Sequence, residues 1–134
     1  MKKLCAAFGL LVLLMFQTTA FAAETSSDTM ILDWSSSKVW VNGGELCVMG
    51  TFFNKRSDVT VTKLNEFTMT ITFTREDGTT YQFTGQPKKL PMFKIPAGKS
   101  KRITFNFGPF DGGNWKKWVT SEKYVFSYIN GAAW

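Results

Sequence analysis

Apolar side chains recur along this chain in short runs broken about every ten positions by turn residues, which is the spacing of strands and not of helices. The clearest stretch is Phe67, Met69, Ile71 and Phe73 alternating with Thr68, Thr70, Thr72 and Thr74. Period two gives one face to a core and a threonine face to solvent, whereas a helix would scatter the same residues around its circumference. It ends a long extended stretch, Val59 to Thr74. Asp77-Gly78 then turns the chain into Thr80 to Thr84, and Asp-Gly between two alternating runs predicts a hairpin. Upstream, Ile31 to Trp34 and Lys38 to Val41 read as two short strands separated by Ser35-Ser36-Ser37. Asn42-Gly43-Gly44 makes a turn, and Glu45 to Phe53, apolar on both faces, reads as a central strand.

Downstream, Leu90 to Ile95 is a short irregular apolar segment and Pro96-Ala97-Gly98 a turn. Ser100 to Phe107 alternates again, Gly108 to Asn114 is a loop rich in glycine and aromatics, and the last strand is expected from about Lys123 to Ile129. No helical stripe reaches three turns. About seven strands at this spacing predict an all-β fold, an antiparallel sandwich of immunoglobulin-like architecture.

The first residues follow another pattern. Lys2 and Lys3 precede a charge-free run from Leu4 to Phe16, followed by Ala20-Phe21-Ala22. Ala20 and Ala22 are the small residues a signal peptidase reads, so residues 1–22 are expected to be a secretory signal peptide cleaved before Ala23. The apolar run falls short of the roughly 20 residues that span a bilayer, which argues against a membrane anchor. The polar segment 23–29 is expected to be a disordered leader and 30–134 the β-sandwich domain, with no transmembrane segment in the mature chain and a secreted or periplasmic location.

Cleavage changes the chemistry. Removing 22 of 134 residues leaves 112, lowers the formal charge from +6 to +4 and removes Cys5, so that Cys47 is the only cysteine left and no internal disulfide is available. Between Leu46 and Val48, Cys47 fits a buried small hydrophobe, with an intermolecular bridge or a reactive thiol as the alternatives. A chain of this size can build one core without disulfides or metal, and 10 of the 13 Phe with all 5 Trp remain to supply the material.

The residues also resemble a known group. Gly50-Thr51-Phe52-Phe53-Asn54, the long alternating strand, Asp77-Gly78, Ile95-Pro96-Ala97-Gly98-Lys99-Ser100 and Ile103-Thr104-Phe105-Asn106-Phe107 are similar to the pattern of bacterial extracytoplasmic immunoglobulin-like domains of the FxLYD type. The likeness runs from about Glu45 to Phe107; the FxLYD signature itself is absent. It implies a β-sandwich accessory or binding domain and brings no catalytic residues.

Histidine is absent. This removes Ser-His and Cys-His nucleophile pairs and most zinc sites. The acids fall mostly in turns, and Asp111 with Asn114 offers too few oxygens for calcium. Met69 and Met49 belong to strands, which favours core filling over soft-metal binding. No cofactor, metal or catalytic residue is expected, and the function expected is binding.

Two stretches are candidate binding surfaces. Lys88, Lys89, Lys94, Lys99, Lys101 and Arg102 lie close together with no acid among them. Such a run suits an anionic envelope polymer such as teichoic acid or lipopolysaccharide, and lysines also guard strand edges against aggregation. Trp115-Lys116-Lys117-Trp118 sets aromatics beside cations, an arrangement that stacks on sugars, meets a membrane interface or folds inward to close the sandwich. Nucleic acid is not expected outside the cytoplasm. A monomer or weakly associating chain is expected, binding a polymer or another exported protein. The alternative is a structural subunit of a surface assembly that pairs an edge strand, such as the one ending at Trp134, with its neighbour. An unrecognised hydrolase is a third reading.

Overall fold

A computed structural model describes residues 23–131. The strands are β1 (Glu24–Ser26), β2 (Leu32–Asn42), β3 (Glu45–Asn54), β4 (Val59–Thr74), β5 (Thr80–Gly85), β6 (Ser100–Pro109) and β7 (Lys117–Asn130), with no helix among the described residues. They form two antiparallel sheets, one in the order β1-β7-β4-β5 and the other β2-β3-β6. The molecule is a β-sandwich.

Alternation along β4 does what the sequence predicts. Phe67, Met69, Ile71 and Phe73 are buried while their threonine neighbours are half-exposed. β3 is the middle strand of its sheet and buries Leu46, Cys47, Val48 and Phe52. Between the sheets, Phe67 of β4 stacks on Phe105 of β6 with ring centroids 4.3 Å apart, and Trp34, Phe52 and Tyr124 close around them. Such ring pairs contribute beyond the area they bury.

The Gly50–Asn54 segment has a structural explanation. A Cβ at Gly50 would run into the buried Trp34 ring and the Ser35 carbonyl, so close packing excludes any side chain. Asn54 is fully buried, and its amide donates to the carbonyls of Val59 and Ile95, each at 3.0 Å, while its oxygen accepts from the Arg56 N–H at 3.0 Å. It ties the β3 end, the β4 start and the irregular segment before β6 into one knot. That segment closes one flank: Phe93 and Ile95 are buried, and Ile95 exchanges two backbone hydrogen bonds with Val61.

Several expectations are corrected. Segment 23–29, expected to be disordered, contains β1, whose Glu24, Thr25 and Ser26 pair with Tyr128, Ser127 and Phe126. An edge strand can be held by backbone hydrogen bonds, so it leaves no apolar period in the sequence. The two strands expected in 31–41 are one strand, because Ser35 and Ser36 stay paired with β3 and only Ser37 bulges out of the ladder. β7 begins at Lys117, not Lys123, and pairs with β4 along its length. It is flanked by β1 and β4, so its last third is not an edge. Residues 1–22, with Ala20 and Ala22, and Trp134 lie outside the described residues. Ala23 is exposed at their start.

The opposite flank is less complete. β1 covers β7 only at Phe126–Tyr128, after which Ser27 to Ile31 leads to β2. There the Trp34 indole N–H donates to the Ser36 hydroxyl at 2.7 Å, and Ser36 and Thr120 hydroxyls share a hydrogen bond of 2.8 Å between the sheets.

Candidate functional site

The six basic residues lie on the closed flank, and all are exposed. Lys101 and Arg102 stand on β6, the edge strand of its sheet, opposite Phe52 and Thr51. Lys101 has the same parity as the buried Ile103 and Phe105 but emerges at the rim. Lys99 precedes β6, and its carbonyl accepts from the Asn54 N–H. Lys94 sits between the buried Phe93 and Ile95. Lys88 and Lys89 follow β5; the Lys88 N–H donates to the Asn106 carbonyl, at the far end of β6.

One carboxylate enters this strip. Glu45 accepts from Asn106 at 2.8 Å and from the Lys88 ammonium at 2.9 Å, and these two bonds hold its carboxyl below the usual range. Lys88 is thereby neutralised, whereas Lys89, Lys99, Lys101 and Arg102 form no ion pair at 4 Å or less among the described residues.

The aromatic-basic stretch does not form one surface. Trp118 lies in β7 opposite Phe73 and packs against the core. Lys116 and Lys117 are exposed. Trp115 packs on Phe73 at 4.6 Å and lines a cleft of about 530 Å³ between the loop after β6 and the end of β2. Trp40, Phe110, Asp111 and Asn114 share that cleft, and the Lys38 ammonium lies 4.9 Å from the Trp40 ring centroid. Trp40 was not recognisable as a site residue, because the β2 edge and the β6–β7 loop meet only in the folded chain.

A second cleft, of about 460 Å³, lies beside β7 and is lined by Ser27, Thr29, Glu66, Thr68 and Glu122 to Val125. Burial raises the Glu122 pKa, and one of its carboxylate oxygens is buried without a hydrogen-bond partner. Cys47 is a buried free thiol whose pKa is raised by burial and then by the Glu45 charge. Among the described residues no three His, Cys, Asp or Glu side chains cluster to hold a metal, and no helix is long and apolar enough to cross a membrane.

No family model matches the chain, and no curated protein matches it. A solved structure titled "X-ray structure of Northeast Structural Genomics Consortium target SoR45" aligns with 84% of this chain and 81% of its own, at 11% identity and a TM-score of 0.31.

Proposed function

We propose that the chain is an exported accessory domain, released from residues 1–22 into the periplasm or the extracellular space, which binds an anionic envelope polymer and carries no catalytic centre. The observation behind this reading is the cationic strip along the β6 flank, where Lys89, Lys99, Lys101 and Arg102 are exposed and, among the described residues, no ion pair neutralises them. A row of cations on one flank attracts polyanions over a Debye length and suits a repeating charge better than a small solute. We assign the sandwich to the immunoglobulin-like type, as the FxLYD resemblance implies; its two hairpins, β2–β3 and β4–β5, with every other connection crossing between the sheets, support that assignment.

Retention on immobilised heparin, used as a generic polyanion, is expected at low salt and is expected to vanish at high salt. Lys99→Glu with Lys101→Glu should abolish retention. Lys116→Glu with Lys117→Glu, which changes the net charge equally but off the flank, should leave most of it. No retention at low salt, or equal loss in both variants, refutes the reading.

A second reading rests on the end cleft, where Trp40, Trp115 and Phe110 offer aromatic surface beside Asp111 and Asn114. Aromatic rings with polar groups at the rim suit a sugar ring. Titration of neutral oligosaccharides followed by tryptophan fluorescence, with Trp40→Ala as control, tests it; an unchanged signal excludes it.

A further inference from the structure

The fold guards its strand edges unequally. β6 carries Lys101 and Arg102, β5 has only 6 residues, and β2 is broken by the serine bulge. Charge, shortness and bulging are the usual ways of keeping an edge from pairing. β7 is different. Over Lys117–Val125 it has β4 on one side and, among the described residues, no strand on the other. It contains no proline or glycine, and both irregularities of the β4–β7 ladder place the extra residue in β4.

We infer that two copies of the chain join along this edge, β7 against β7, antiparallel about a two-fold axis at Ser121, merging their four-stranded sheets into one. The extent of the edge supports a second copy as the occupant. The free stretch starts where β7 starts and stops at Val125, next to the first residue covered by β1, so Ser121 is its midpoint and two copies match end to end.

Register supports it too. With the axis at Ser121, Val119 faces the second copy's Lys123 and Lys117 faces Val125 on the outer side. On the inner side Trp118 faces Tyr124 and Thr120 faces Glu122. No like charges stand opposite each other, and one pair is aromatic on aromatic. Moving the axis to Thr120 sets Lys117 against Lys123, and moving it to Glu122 sets two carboxylates together. An isologous pairing of this kind closes on itself as a dimer. It also places a hydroxyl opposite Glu122, whose Oε1 is buried without a hydrogen-bond partner among the described residues. Val119, 65% exposed, would be covered. The inference is independent of polymer binding.

Sedimentation of the exported chain from about 1 μM to about 1 mM should show the mass rising toward twice the monomer, the range in which weak association is read. Ser121→Lys places two lysines face to face on the axis and should return the protein to monomer. Ser121 is exposed, so the fold should persist. Ser121→Cys brings two Cβ atoms to about 4.5–5.5 Å, close enough for a bridge after slight adjustment. Under oxidation it should yield a covalent dimer, whereas Lys123→Cys alone should not and Val119→Cys with Lys123→Cys should. A monomer at every concentration, a dimer that survives Ser121→Lys, or equal crosslinking of the two single cysteine variants overturns the inference. If Ser121→Lys fails to fold, the crosslinking pattern decides it.

Discussion

Asn54→Ala tests how far one buried amide holds the sandwich together. Three hydrogen bonds of 3.0 Å disappear, but they are not equivalent. The Ile95 carbonyl still accepts from the Val61 N–H, so its loss is that of one ordinary bond, about 1 kcal/mol. The Val59 carbonyl loses the partner Asn54 gives it inside a fully buried knot, which costs about 1–3 kcal/mol. The Arg56 N–H is beside exposed chain and water replaces the amide there at little cost. The sum is about 3 kcal/mol, equivalent to roughly 10–20 °C in Tm for a domain of this size. Urea unfolding followed by tryptophan fluorescence should show a lower midpoint at unchanged slope. Asn54→Asp should be worse than Asn54→Ala, because it turns a carboxylate oxygen toward two carbonyl oxygens. A loss below about 1 kcal/mol, or an aspartate variant as stable as the alanine one, would refute the reasoning.

Gly50→Ala should destabilise by about 1–3 kcal/mol through overpacking against the Trp34 ring, measured by the same titration; a neutral effect would show that the ring can move. Glu122 gives a pH test. Burial raises its carboxyl pKa, a Thr120 hydrogen bond opposes this, and the Asp33 charge adds to it. The folded state therefore holds this proton more tightly than the unfolded chain, so the ionised group costs stability in full above the folded pKa, less as pH falls from the folded to the unfolded value, and nothing below it. Glu122→Gln should be more stable than wild type at pH 7, and the margin should vanish toward the bottom of the carboxylate range; a pH-independent margin contradicts this. Cys47, buried with a raised pKa, should react with a thiol reagent at least about a hundredfold more slowly in the folded protein than in urea. Similar rates would place it at the surface.

The β4–β5 hairpin and the β3 and β6 strands were readable from sequence because alternation and turn chemistry are local. Other elements depended on contacts that local pattern does not record. β1 lacks an apolar face because an edge position asks little of its side chains. The first half of β7 was hidden because Thr120 and Glu122, on its inner face, are polar where an alternating strand should be apolar. The apolar residues of Leu90 to Ile95 were plain, but not that Phe93 and Ile95 seal a flank. The basic strip was visible because its members are near one another in sequence. The Trp40–Trp115 cleft joins distant segments, and the open stretch of β7 depends on how far β1 runs before turning away.

The place of β7 in the sheet sets the order of assembly. The strand that lies between β1 and β4 is, among the described residues, the last in chain order. A chain ending at Pro109 has the residues of β1 to β6, but Phe67 lacks the Tyr124 ring stacked on it, β4 lacks the strand paired along its length, and β1 lacks the strand it pairs with. Its native contacts are mostly distant in sequence, which slows folding in any case. The core is closed only when β7 docks on β4, so a chain cut before Lys117 should lose the cooperative unfolding of the whole domain.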